Sequence, residues 1–494
     1  MIEPFTRPEL DIAMKALSKG KCADKHGILL EMLANGGESV RNILLRKYNN
    51  ILHTGAFPSD WNELVFIMLP KTGDLTDVNN WRPIAILDVV YKVFAKILHK
   101  RLVPMLDPQL SDEQMGFRTN CGTDEALLIL ECMAGASLEW NLPLWALSVD
   151  LRKAFDKLEH NALLDALTEL GLPPEYLVLL KCIYSDQVGT VSGVSFPICR
   201  GVRQGDILSP LLFNAATEVI MRRWKARLSV GNGFRLDGDA DPLTNVRFAD
   251  DLILFAKSLS EIEDMTNLLV GEFAKAGLVA NGAKTKLLTT DAAVTSGHIP
   301  VLVDIGGMFV EVIKSGSSHK YLGKSLPGDL SRRGQRNLDH RLSCAWFRFH
   351  ELQHTLCNRK IPVHLRLKLF DSVVSPTVLY SLSTTPLTAT QCERLDGVQR
   401  KMLRRIVGWV RIDDEGWDVT GHRMKHRLQL ALAKHPVATW SEVRSRQTRK
   451  LIGKLISNKA PTLACRVYRW ALCPSLPGYV RYRRPGRPSC RWTD

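Results

Sequence analysis

The stretch Val246–Ala256, V-R-F-A-D-D-L-I-L-F-A, constrains this 494-residue chain more than any other. Asp250 and Asp251 stand side by side, with Phe248-Ala249 before them and Leu252-Ile253-Leu254-Phe255 after. The flanks are too short for a helix and rich in strand formers, so they read as strand, tight turn, strand. Both carboxylates then project from the end of a buried sheet, where like charges repel each other and resist desolvation. An Asp-Asp surface turn is the bland alternative, but such a turn does not need four apolar residues on its exit side. A divalent cation is the economical neutraliser, because Mg²⁺ takes a few carboxylate oxygens and keeps other positions for water and phosphate. A second acidic strand is therefore expected. Leu144–Asp150, L-W-A-L-S-V-D, supplies one, and the chain continues through Leu151–Asp156 into a helix. If the two strands are neighbours in one sheet, Asp150, Asp250 and Asp251 surround a two-metal centre.

The chain is too long for one compact core, so several subdomains are expected. No apolar run reaches the length of a membrane span, and Met1-Ile2-Glu3-Pro4 does not open a signal peptide. The eleven cysteines are single, and Cys465, Cys473 and Cys490 lack zinc-ligand spacing, which reads as reduced thiols in an intracellular protein. Charge is segregated. Residues 1–330 carry 34 Lys/Arg against 40 Asp/Glu, whereas 331–494 carry 32 against 11, so the net +15 comes from the last third. A basic region on a near-neutral body points to a polyanionic partner, nucleic acid or an acidic membrane.

Leu64–Leu69 reads as a strand ending at Pro70-Lys71, and Trp81–Leu87 opens the next apolar segment. Lys71 and Arg82 thus flank one loop and can converge on an anion, although lone basic residues at strand ends are more often simply solvated. Val89–Met105 is a basic amphipathic helix. Gly201–Pro210, G-V-R-Q-G-D-I-L-S-P, is a Gly- and Arg-containing loop ahead of a helix, able to hold a base or phosphate on backbone N–H groups. Residues 331–494 read as helical and basic, with Arg481–Pro488 expected to be disordered. The acids of Asp237–Asp241 and Asp413–Glu415 lack supporting strands and read as solvated loops.

Taken in order, L-P-K…W-R-P-I-A-I-L, V-D-L-R-K-A-F-D, G-V-R-Q-G-D-I-L-S-P-L-L-F-N, F-A-D-D and G-L-V-A-N-G-A-K-T-K resemble the reverse transcriptase of non-LTR (LINE-type) retrotransposons. Q-M-G-F-R and Y-L-G add to the match, which covers about residues 5–325. The resemblance implies an α+β, right-hand polymerase fold. Fingers would occupy 1–143, a palm with an antiparallel sheet and the acids 144–325, a helical thumb 326–440, and a basic, partly disordered tail 441–494. It implies an RNA-directed DNA polymerase acting on an RNA template, a DNA primer and dNTPs, with two Mg²⁺ ions (Mn²⁺ as a substitute) held by Asp150, Asp250 and Asp251. Lys71 and Arg82 would grip the triphosphate, and Phe155 would exclude a ribose 2′-hydroxyl. Gln204 and Gly205 would lie beneath the nascent base pair, Lys284 would give a proton to pyrophosphate, and Tyr321-Leu322-Gly323 would form the primer grip. Phe248 stands where the family more often has tyrosine, and Ile207 where proline is usual.

The finger loop departs further: K-C-A-D-K-H-G-I replaces a pattern close to K-A-P-G-P-D-G-I. No membrane association is expected, and localisation to nucleus and cytoplasm as a ribonucleoprotein follows from the resemblance. An endonuclease domain is expected to be absent from this chain, since its one metal-quality acid cluster belongs to the polymerase. A group II intron maturase, a domesticated host enzyme and a catalytically silent RNA-binding remnant remain alternatives.

Overall fold

The computed structural model describes residues 2–71, 73–236, 241–291, 302–457 and 462–472. Its strands are β1 (Glu63–Pro70), β2 (Trp81–Ile86), β3 (Trp145–Val149), β4 (Gln187–Val191), β5 (Val194–Ile198), β6 (Asn245–Phe248), β7 (Asp251–Ala256), β8 (Lys286–Thr289), β9 (Leu302–Ile305), β10 (Met308–Val312), β11 (Ser318–Tyr321) and β12 (Lys324–Pro327). They form a six-stranded sheet in the order β6-β7-β3-β8-β10-β9, a four-stranded sheet β2-β1-β4-β5, and the hairpin β11-β12. The large sheet is antiparallel except where β10 runs parallel to β8. Among the described residues no helix is long and apolar enough to cross a membrane.

The apolar run of β3 follows from covering on both faces, which removes the polar half of the usual strand alternation. Trp145, Leu147 and Val149 face one core, together with Leu252 and Leu254 of β7 and the helices Ser209–Lys225 and Leu259–Lys275. Ala146, Ile253, Phe255 and Leu288 face the opposite core, built on the helix Thr123–Trp140. The helices Trp440–Ser457 and Leu463–Leu472 belong to this second core through Leu451, Leu455, Val467 and Trp470. Residues 441–457 and 462–472 are packed helices, the second lying on the helix Thr123–Trp140 and setting Trp470 edge-on to Phe234 at 6.0 Å. Arg481–Pro488, Cys473 and Cys490 lie outside the described residues, as do Asp237–Ala240. A third core gathers Leu338–Trp440 around Phe349, Phe370 and Trp440, the last two stacked at 5.9 Å.

One buried ionic contact ties these parts together. Glu131, on the helix Thr123–Trp140, accepts from Lys324 Nζ at 3.0 Å and from Arg333 Nε at 2.5 Å. Lys324 is 1 % exposed, and burial pushes its ammonium below the ordinary lysine range while Glu131 opposes the shift. Removing Glu131 would strand two cations in the interior, so Glu131→Ala should cost about 3–5 kcal/mol in denaturant unfolding. A loss below about 1 kcal/mol would show that water reaches these cations.

Candidate active site

The ladder between β3 and β7 pairs Trp145 with Ala256 and Val149 with Leu252. Continued one step, that register sets Asp150 beside Asp251. β6 and β7 are joined by a two-residue turn, Ala249-Asp250, closed by the pair Phe248–Asp251. Burial pushes the Asp250 carboxyl up, and the Asp150 charge adds to it while Arg82 opposes. Asp251 is pushed up to about 6, by desolvation first and then by Asp250 and Asp150. Among the described residues no lysine or arginine forms an ion pair with any of the three acids. Hard oxygen donors in mutual repulsion are what a divalent ion of the Mg²⁺ or Mn²⁺ type neutralises.

The turn is held in place by residues to which the sequence reading assigned no role. Ala249 has φ 59°, a left-handed value that costs a non-glycine residue about 1–2 kcal/mol. Its N–H donates to Gln114 Oε1 at 3.1 Å, and the same oxygen accepts from Gly116 N at 3.0 Å. Gly116 O accepts from Asn214 Nδ2 at 2.8 Å, and Arg247 N donates to Glu113 O at 2.8 Å. Buried Arg247 donates on to Glu218 Oε2 at 2.8 Å. The segment 113–116 is thus a backbone splint laid along β6. Asn281 Nδ2 donates to Asp150 Oδ2 at 3.1 Å, and Asp150 O accepts from Asn281 N at 2.7 Å. The signal for these residues lay in Q-M-G-F-R and V-A-N-G-A-K, which are polar side chains and glycines inside matched blocks.

Arg82, whose charge reaches Asp250, belongs to a cluster of cations. Burial pushes the Lys71 ammonium down, and Arg82, Lys284 and Lys153 push it the same way while Asp156 opposes. Those four cations therefore crowd one space, with Arg82 also acting on Asp250. Arg82 pairs with Leu69 across β1–β2, and Lys71 N donates to Asn80 O at 2.7 Å. Gln204 O accepts from Ala85 N of β2 at 2.9 Å, and Gln204 Nε2 donates to Asp156 Oδ1 at 2.7 Å. Gly205 has φ 105°, and a Cβ there would sit 3.2 Å from Ala85 O. Phe155 is half-buried and stacks on Phe213 at 4.5 Å, so one ring face belongs to the core. Phe248, half-buried at the turn, lies 6.5 Å from exposed Phe117.

Tyr321 is buried, and its hydroxyl has no hydrogen-bond partner. Burial pushes its phenol up and the Asp251 charge adds to the shift, so Tyr321 lies within electrostatic reach of Asp251. Leu322 and Gly323, at φ 43° and 74°, make the left-handed turn of the β11–β12 hairpin. Tyr380 Oη donates to Leu322 O at 2.7 Å, and Arg341 donates to Gly323 O. The acids at Asp413–Glu415 serve a different end. Glu415 accepts from Arg423 Nη2 at 2.6 Å and from Thr420 Oγ1 at 2.7 Å, fastening the start of the helix Trp417–Lys434.

Comparison with known proteins gives this strand-end acid triad and its neighbouring cations a family. The reverse transcriptase (RNA-dependent DNA polymerase) family matches residues 69–326, and the chain belongs to it. The retrovirus-related Pol polyprotein of the type-1 retrotransposable element R2 from Popillia japonica is 25% identical over 413 residues, 81% of this chain and 55% of that protein. The RNA-directed DNA polymerase from the mobile element jockey of Drosophila melanogaster is 25% identical over 406 residues, covering 78% and 42% respectively. A 149 kDa protein of transposon TX1 from Xenopus laevis is 27% identical over 265 residues, covering 53% and 20%. The chain spans about half the length, or less, of these relatives. The resemblance to non-LTR retrotransposon polymerases is borne out.

A Cβ on Gly116 would lie 2.4 Å from Ala249 N and 2.8 Å from Phe248 C, backbone atoms of the acid-bearing turn. Gly116→Ala should therefore cost about 1–3 kcal/mol in denaturant unfolding. Gly271→Ala, in a helix with open space around it, should be neutral or stabilising. Equal effects at the two positions would mean that the turn yields freely.

Proposed function

We propose that the chain is an RNA-directed DNA polymerase that extends a DNA primer on an RNA template. The observation that carries this reading is the gathering of Asp150, Asp250 and Asp251 at one sheet end, with Arg82 near Asp250 and grouped with Lys71 and Lys284. The acids supply oxygen ligands and the cations supply sites for a triphosphate, a division of charge suited to phosphoryl transfer. Asp150, Asp250 and Asp251 would hold two Mg²⁺ ions, which when bound lower the pKa of a primer 3′-hydroxyl and neutralise charge on the leaving pyrophosphate.

Within that reading the remaining groups have separate tasks. Lys71 and Arg82, held at the closed end of the β1–β2 hairpin, orient the β- and γ-phosphates. Lys284 gives a proton to departing pyrophosphate. The Gln204–Asp156 hydrogen bond fixes the loop beneath the nascent pair, and Gly205 keeps that loop against β2. The free face of Phe155 meets the sugar, with Phe213 behind it as a rigid backstop. Tyr321-Leu322-Gly323, clamped by Tyr380 and Arg341, positions the primer terminus. The excess of Lys and Arg after residue 330 supplies phosphate contacts to the duplex.

Two measurements test this. Asp150→Asn or Asp250→Asn should lower primer extension on an RNA template by at least about a hundredfold, while salt-dependent RNA binding is retained. Extension at near wild-type rate by either variant would sink the assignment. Phe155→Val should raise ribonucleotide incorporation relative to deoxyribonucleotide, at a stability cost of about 2–4 kcal/mol. A folded variant with unchanged sugar discrimination would leave Phe155 as a core residue only.

A further inference from the structure

The finger loop that departs from the family pattern brings a second set of ligand-type atoms together. A nitrogen of His26 and carboxylate oxygens of Asp60 and Asp88 all lie within 4.8 Å of one another. They come from three elements: the loop after Lys21, the turn Ser59–Asn62 ahead of β1, and the residue preceding the helix Val89–Leu106. Asp60 and Asp88 flank the open end of the β1–β2 hairpin, whereas Lys71 and Arg82 sit at its closed end. By strand rise the two places are about 20–25 Å apart, so this cluster is separate from the acids of the large sheet.

Asp88 is the telling member. It is 6 % exposed, and its Oδ1 has no hydrogen-bond partner although it points at His26 Nε2, 3.5 Å away. Buried carboxylate oxygens are normally satisfied, and leaving one without a partner is unfavourable. Lys25 does not fill the role. Its Nζ donates to Asp60 O at 2.6 Å and to Glu63 O at 3.1 Å, and stands 4.0 Å from Asp88 Oδ2. The position of His26 is set independently of the cluster by Asp24. That carboxylate accepts from His26 N at 3.0 Å and Ile28 N at 2.9 Å, and reaches Val89 N at 2.8 Å. Loop and helix start are therefore already joined, with one imidazole and two carboxylates aimed into a common point.

We infer that His26, Asp60 and Asp88 bind a divalent transition-metal ion of the zinc type, which fastens the base of the β1–β2 hairpin. One imidazole nitrogen and two carboxylate oxygens are an accepted zinc donor set, whereas Mg²⁺ prefers oxygen alone. Tetrahedral ligands at zinc distances stand about 3.4 Å apart, close to the His26–Asp88 separation. Solvent reaches His26, which leaves room for water as fourth ligand.

The test uses the full chain carrying Asp150→Asn and Asp250→Asn, so that the large-sheet acids no longer compete. The exposed thiols Cys22, Cys121 and Cys199 are alkylated. Titration with Zn²⁺, followed calorimetrically and by metal analysis, should give one bound ion that is absent in both His26→Ala and Asp88→Asn. Zn²⁺ should also raise the melting temperature of the parent chain and not that of His26→Ala, whose exposed side chain is not needed for folding. Equal zinc uptake by parent and His26→Ala would place the ion elsewhere and overturn the inference. No uptake by the parent would overturn it too, and would leave the cluster as a plain contact between His26 and Asp88.

Discussion

Repulsion among three carboxylates is the constraint around which the rest of the molecule is arranged. Asp150 and Asp251 are fixed as neighbours by the β3–β7 register, and Asp250 is forced beside them by a two-residue turn. Left alone, such a sheet end would splay. It is held by helices on both faces and by a splint, residues 113–116, whose Gln114 amide oxygen accepts two backbone N–H groups at the strained corner. Stability spent on gathering like charges is recovered elsewhere, in the two apolar cores and in the buried Glu131 junction. That is the usual relation between a preorganised site and its scaffold.

Much of this was legible in the sequence because the pattern had physical causes. The apolar flanks of Asp250-Asp251, the strand ending on Asp150, and the pairing of the segments carrying Lys71 and Arg82 all follow from burial and turn chemistry. Other features left no such trace. The β4–β5 hairpin alternates weakly, since Val194, Phe196 and Val188 are exposed. The β9–β10 pair is short, and the parallel contact of β10 with β8 depends on a partner distant in sequence. Gln114 and Asn214 are single amides whose importance comes from where the chain folds back, which no local periodicity encodes. The finger loop is the converse case. Its departure from the family pattern was visible, but the convergence of His26 with Asp60 and Asp88 required three separate elements to be placed first.

Phe155 shows why a residue can answer to two descriptions at once. Its stacking on Phe213 is an ordinary core contact, and in the proposed function its other face meets the sugar. There the rigidity supplied by the first would make the second useful, because a ring free to rotate could not discriminate a hydroxyl from a hydrogen. Tyr321 has a similar double character: buried enough to anchor a hairpin, yet within electrostatic reach of Asp251 with its hydroxyl unengaged.

The closure of the second core by Leu451, Leu455, Val467 and Trp470 has a consequence for how the protein is made. A ribosome delivers the helix Thr123–Trp140 long before it delivers Leu463–Leu472, which packs on it. Domains usually fold from the N-terminus as they emerge, but here a helix that backs the acid-bearing sheet waits for a partner far downstream in the chain. Until that partner has left the ribosome the outer apolar residues of Thr123–Trp140 stay open, so the second core closes late in synthesis even though the sheet it supports is made early.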